Sequence, residues 1–279
     1  MRRTIGNARE QKVHHSFGGD SFEAIIEANQ LRTHFQPIVE LEEGHLFGFE
    51  SLSRGPLKTV YESPDVLFGE ARRRHLLLQL ETKCQCQLLA NIREIAHRGF
   101  YMFVNLEPIL LETEDFRTLP IFESLHKIDP RNFVIELTER HKRHAEGSLK
   151  RNLEYLRSLG FRIALDDVGS GYSDLDSIVE FRPEFLKISN KIIQDISTNT
   201  LKQKVVSLLL ELSDNFAFTI AEGIETERDF FTVRELGVRF GQGFLLAKPN
   251  PEMSYSRQMH LYTAAQSGYN WDSTLPQVS

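Results

Sequence analysis

Cysteine is almost absent from this 279-residue chain, which has only Cys84 and Cys86. Two positions apart in a helical pattern, their side chains point to different faces, so neither a disulfide framework nor a zinc cluster follows. A cytoplasmic, reducing location fits that usage. Long apolar runs are also missing, and none approaches the roughly 18 residues that a membrane-spanning helix needs. The basic start, Met1-Arg2-Arg3, has no apolar stretch behind it, so no signal peptide is expected. Nor is there a basic excess: 33 Lys and Arg stand against 39 Asp and Glu, a formal net charge of -6. That balance argues against a dedicated binder of nucleic-acid polymers. It leaves room for an anionic ligand, because a bound metal reverses the sign of a pocket locally.

What is present suits one large globular unit: 41% of residues are apolar and 26% charged. Residues 1–16 read as a flexible tail, 17–250 as the folded unit, and 251–279, with the lone Trp271, as a second tail. A short helix is predicted over 22–31. Strands at 34–39 and 46–52 are joined by a turn at Gly44 and form a hairpin. A long helix over 64–97, with a break near Gly69, comes next. Strands then follow at 101–105, 133–137, 162–166, 185–188, 218–222 and 238–241, separated by segments of which those at 149–159, 201–215 and 226–236 have helical spacing. Strand–helix alternation at roughly 31 residues per unit is the rhythm of a (β/α)8 barrel. The predicted fold class is therefore α/β, a TIM-like barrel with an opening antiparallel hairpin.

Strand after strand in this pattern ends in a polar residue: Glu50, Asn105, Glu136, the pair Asp166-Asp167, Lys187, Glu222 and Gln242. A single strand-end acid is more often a cap or a surface ion pair, and Asn105 alone could cap the next turn. A barrel, however, brings its C-terminal strand ends to one mouth, where chemistry is placed. Clustered carboxylates with an amide oxygen are hard ligands that suit two Mg2+ or Mn2+ ions rather than zinc. Such a pair of ions serves in-line phosphoryl displacement. A lysine among those acids is kept protonated by them. Periodicity alone leaves the substrate open.

Several of these residues sit in longer motifs that resemble one known family. Glu50-Ser51-Leu52 with Arg54 looks like the Glu-Ala-Leu-x-Arg signature of the EAL phosphodiesterases, and Phe35-Gln36-Pro37-Ile38-Val39 like their opening strand. Asn105-Leu106-Glu107-Pro108, Glu136-Leu137-Thr138-Glu139, the Asp166–Ser173 loop, Lys187, Glu222-Gly223-Ile224-Glu225 and Gly241-Gln242-Gly243-Phe244 follow in order. The resemblance implies hydrolysis of cyclic di-GMP to the linear dinucleotide. It implies that Glu50, Asn105, Glu136 and Asp166 hold one metal, and Asp166, Asp167 and Glu222 the other. By the same resemblance Lys187 positions the attacking water, while Glu225 and Gln242 support the site. Gln36, Arg54 and Gln242 would contact the ligand, and Glu139 would anchor the loop after Asp167, through which the family dimerises. The chain departs from the pattern at Ser51, Val168, Glu184 and Ser189. The smaller Val168 is expected to loosen the loop, and Glu184 and Ser189 to alter the charge around Lys187.

Gly18-Gly19-Asp20-Ser21-Phe22 resembles the signature of cyclases that make the same dinucleotide, but too little chain precedes it for such a domain. His14-His15 lies in the tail and His141/His144 in a charged run, so both read as solvated. Two other readings stand beside the enzyme. One is a catalytically inactive cyclic di-GMP receptor of the same fold; the other is a metal-dependent barrel phosphodiesterase for a different substrate. Every matched ligand position is intact, which favours the enzyme.

Overall fold

The computed structural model describes residues 21–92, 99–138, 147–170 and 174–256. Eight strands close into a barrel in sequence order: β1 (Arg32–Glu40), β2 (Leu46–Arg54), β3 (Tyr101–Asn105), β4 (Phe133–Thr138), β5 (Arg162–Val168), β6 (Phe185–Ile188), β7 (Phe218–Ala221) and β8 (Phe240–Gly241). β1 runs antiparallel to both its neighbours, β2 and β8, and every other pairing is parallel. The expected barrel with an opening hairpin is what forms. Helices α1 (Phe22–Glu27), α2 (Pro64–Arg73), α3 (Leu77–Asn91), α4 (Pro108–Leu111), α5 (Pro120–Glu123), α6 (Ser148–Ser158), α7 (Asp174–Phe181), α8 (Asn190–Ile193), α9 (Thr200–Ser213) and α10 (Glu227–Glu235) lie between or before the strands.

The barrel interior is a plug of inward side chains drawn from every strand: Ile38, Phe47, Tyr101, Phe103, Val134, Ala164, Phe185, Ile220 and Phe240. Phe47 stacks on Phe240 with centroids 4.1 Å apart and on Tyr101 at 4.7 Å. Side chains alternate faces along a strand, so the residue two beyond a plug residue also points inward. Those residues are Asn105 after Phe103, Glu136 after Val134, Asp166 after Ala164, Lys187 after Phe185, Glu222 after Ile220 and Gln242 after Phe240. On the antiparallel β1 the same step runs backwards, from Ile38 to Gln36. The plug closes the bottom of the barrel and the polar set forms its mouth. Gly48, paired with Ile38 and Tyr101, has to be glycine, because a Cβ there would lie 2.4 Å from the Tyr101 carbonyl oxygen.

The structure corrects two expectations of local structure. Gly69 lies inside α2, and the long helix breaks instead at 74–76, where His75 takes a left-handed φ of 59°. Nothing lies within 4 Å of a Cβ at Gly69, so this glycine costs the helix only backbone entropy. α2 closes in a left-handed cap, with the His75 N–H donating to the Arg72 carbonyl at 3.2 Å and the Leu76 N–H to the Ala71 carbonyl at 2.8 Å. Beside it Arg73 and Arg74 fold back onto Glu70, and Arg74 also reaches Glu23. The second correction is α7, a helix that strand–helix counting did not anticipate after β5.

Candidate active site

The mouth of the barrel gathers the strand-end residues around one ammonium. Lys187, fully buried on β6, has its Nζ 2.7 Å from Glu136 Oε1, 2.9 Å from Glu222 Oε1, 3.2 Å from Asp166 Oδ1 and 3.3 Å from Glu50 Oε2. Among the described residues no three His, Cys, Asp or Glu side chains are arranged as a metal centre; the acids converge on Lys187 instead. Amides hold Glu50 from both sides. Asn105 Nδ2 donates to Oε1 at 3.1 Å and Gln242 Nε2 to Oε2 at 2.6 Å. Gln242 also donates to Gln36 Oε1 at 2.9 Å, and Gln36 donates to the Ala247 carbonyl at 3.1 Å. This chain of amides runs along the seam where β1 meets β8 and ties barrel closure to the position of Glu50.

The electrostatics follow from packing like charges in a dry place. Burial, reinforced by Glu50, pushes the Glu136 carboxyl well above the usual carboxylate range, and burial likewise raises Asp166. Glu222 is pushed up to about 8, by burial first and then by Asp166 and Glu50, against the pull of Lys187. Burial also opposes a charge on Lys187, but Asp166, Glu136, Glu222 and Glu50 outweigh it and hold the ammonium well above its ordinary range. Glu50 alone of the four comes out lowered: burial works against its charge, and Lys187 with the amides of Gln242 and Asn105 overcomes it.

Asp167 and Arg54 line the same groove as Glu50, Asn105 and Asp166, a cavity of about 270 Å³. Asp167 takes a φ of 60° where β5 bulges against β6, and this turns it away from the regular alternation. Glu225 is different. It is exposed in the turn before α10 and makes no hydrogen bond or ion pair with the cluster. Glu139, like His141 and residues 171–173, lies outside the described residues, as do both tails beyond 21 and 256.

The departures noted in the sequence have physical accounts. Ser189 is fully buried; its hydroxyl donates to Asp167 Oδ1 at 3.3 Å and accepts from Lys191 N, so it caps α8 and steadies Asp167 at once. Glu184 sits away from Lys187, pairing with Arg157 at 2.8 Å and accepting from the Ile163 backbone. Val168 is fully buried in the shell between strands and helices. The sequence reading missed the far wall of the groove, where α2 and α3 present Asp65, Phe68, Arg72, Glu81, Cys84 and Gln85. The signal was available: Leu77, Leu80, Glu81, Cys84, Gln85 and Leu88 form one buried stripe on α3, with two polar members in it.

Comparison with known proteins agrees with this geometry. Residues 20–249 match the EAL domain family. The probable cyclic di-GMP phosphodiesterase PdeB of Escherichia coli is 28% identical over 259 residues, covering 91% of this chain and 48% of PdeB. This chain spans about half the length, or less, of the first curated relatives it matches. Among solved structures, the EAL enzyme Bd1971 with cAMP and cyclic di-GMP bound superposes with a TM-score of 0.75 at 26% identity, over 82% of this chain and 64% of that one. BlrP1 of Klebsiella pneumoniae, in complex with calcium and cyclic di-GMP, gives 0.71 at 25% identity over 79% and 56% of the two chains. With a barrel in this strand order, a polar mouth in this residue order and a family match over residues 20–249, the chain belongs to the EAL domain family.

Proposed function

We propose that this chain is a metal-dependent phosphodiesterase that opens cyclic di-GMP to the linear dinucleotide. The observation that carries the reading is the convergence of Glu50, Glu136, Asp166 and Glu222 within 3.3 Å of Lys187 at the barrel mouth. The relatives' named activity and the ligands of Bd1971 and BlrP1 support the substrate.

The residues fit divalent cations. The donors are hard oxygens, and the buried Glu136 Oε2 and Gln242 Oε1 have no hydrogen-bond partner among the described residues. Four carboxylates meet one ammonium and Asp167 lines the same groove, so that the mouth, once its acids ionise, carries an excess of negative charge for divalent ions to balance. Glu50, Asn105, Glu136 and Asp166 would hold one ion, and Asp166, Asp167 and Glu222 the other, with Mg2+ or Mn2+ the best match to this donor set. Such ions supply a Lewis acid for the phosphoryl oxygens and an acidified water.

The protein's own part is positioning. Asn105 spends its N–H on Glu50, which leaves its carbonyl oxygen as a ligand. Gln242 and Gln36 fix the orientation of Glu50, and Lys187 gathers the acids beside the position of the attacking water. Arg54 and Gln36 meet the ligand, Arg54 through a planar fork suited to phosphate. Glu225 would act only from outside this cluster, and Glu139 as an anchor of the loop after Asp167. That loop leads into α7, whose Leu175 and Val179 are 58% and 73% exposed, a surface suited to a homodimer.

Purified protein with Mg2+ or Mn2+ is expected to convert cyclic di-GMP to the linear product. Glu50→Ala should cut turnover by at least about a hundredfold, the scale of losing a group that acts in the transition state. Calcium should bind without supporting turnover, because it relaxes octahedral geometry. Tight binding with no turnover under either Mg2+ or Mn2+ would identify an inactive receptor instead.

A further inference from the structure

The groove does not end at the strand-end acids; its outer wall is one face of α2. Asp65, Phe68 and Arg72 are spaced i, i+3 and i+7, which places them in a row along that helix, and all three line the cavity that also contains Glu50 and Arg54. Arg72 is 39% exposed and its Nη1 donates to Glu107 Oε1 at 2.5 Å. Glu107 is itself placed by its backbone, whose N–H donates to the buried Glu81 Oε1 at 3.4 Å. One nitrogen of the guanidinium is thus used to aim it, and the rest of the fork has no hydrogen-bond acceptor among the described residues.

The chemistry of the row is that of a base-binding wall. An aromatic ring offers a stacking surface, and a guanidinium fork matches the O6 and N7 acceptors of guanine. A carboxylate three residues before the ring accepts from the N1–H and N2–H2 donors on the other edge. Adenine presents an amino donor where guanine has O6, so the same row would oppose it. Arg72 is a poor candidate for a phosphate partner, because Glu107 makes the pair neutral overall and the scissile phosphate belongs at the strand ends. In a cyclic dinucleotide the bases project outward from the phosphate–ribose ring, and a helix outside the barrel meets a base first.

We propose that Arg72, aimed by Glu107, is a specificity-determining residue that reads the Hoogsteen edge of a guanine held on Phe68. This rests on the reading of the mouth as a cyclic di-GMP site and names the group that selects guanine there.

The test measures affinity by calorimetry, and kcat and KM separately, for wild type, Arg72→Ala and Arg72→Lys, with cyclic di-GMP and cyclic di-AMP as probes. Both variants are expected to lose about tenfold or more in cyclic di-GMP affinity, with the loss in KM rather than kcat. Lysine keeps the charge but not the fork, so it should not rescue. Affinity for cyclic di-AMP should not fall in step. A lysine variant that restores affinity, an equal loss with both ligands, or no loss at all would each overturn the proposal. Failure of wild type to bind cyclic di-GMP would instead overturn the functional reading beneath it.

Discussion

At the scale of single residues, the site shows how a buried charge is made tolerable by its neighbours. Lys187 has no exposed surface, and a lone ammonium in that position would lose its proton; four carboxylates within 3.3 Å reverse the sign of that effect. Glu81 shows the opposite case. It is 3% exposed on the apolar stripe of α3, and burial, with Glu107 beside it, pushes its carboxyl up to about 8. The backbone N–H of Glu107 pulls the other way but does not prevail, Arg72 faces Glu107 rather than Glu81, and Cys84 one turn along is held as a thiol by burial, up to about 12. A carboxyl whose folded-state value lies above its unfolded one holds more protons folded than unfolded. Its contribution is therefore complete below about pH 4.5 and lost as pH rises toward about 8. Glu81→Gln should leave the melting temperature unchanged at pH 5 and raise it at pH 9, by about 1–3 kcal/mol of stability. Parallel melting curves for the two proteins across that range would refute this. Glu81 by itself does not stand out in the sequence; it is the packing of α3 against α2, α5 and β1 that makes its position dry.

At the scale of elements, the strands carry the site because plug residue and site residue alternate with a period of two. That pattern is local, which is why Asn105, Glu136, Asp166, Lys187, Glu222 and Gln242 could be picked out before any pairing was known. Helix ends were harder to read. The break between α2 and α3 is a left-handed cap at His75, a non-glycine position that no turn residue announces, and Arg74 beside it reaches Glu23, 51 residues earlier in the chain. The bulge that turns Asp167 is likewise a relation between β5 and β6, not a property of either. Just past β8, Gly243 packs under Ile224 so closely that a Cβ would lie 2.1 Å from the Ile224 carbonyl oxygen and 2.3 Å from its nitrogen. Ile224 N donates to the Gln242 carbonyl at 3.1 Å, so any shift there moves Gln242 and, through it, Glu50. Gly243→Ala should cost about 1–3 kcal/mol by overpacking and lower kcat at least tenfold in the folded protein. Full activity at unchanged stability, measured by turnover assay and melting, would show that the β8 end does not hold Glu50.

At the scale of the whole molecule, exposed apolar side chains recur at several places, Leu57, Val60, Leu201, Leu208 and Phe244 among them, and Leu175 and Val179 on α7 are the pair beside the loop that follows Asp167. A chain that pairs through this face should sediment as a dimer at micromolar concentration. Leu175→Asp with Val179→Asp should then yield monomers with reduced turnover and an unchanged far-ultraviolet spectrum. A wild-type chain that is monomeric at all accessible concentrations would refute the dimer. Sequence by itself determined the barrel rhythm, the opening hairpin, the order of the polar strand ends and their hard-oxygen chemistry. Each of these is written within one strand or one strand–helix unit, where alternation and ligand type act locally. Tertiary structure alone decided the distances at which four acids meet Lys187, that Gln242 bonds Gln36 across 206 residues of chain, that Glu225 is exposed, and that α2 walls the groove. These are distances between segments that meet only when the barrel closes, and no local pattern encodes them.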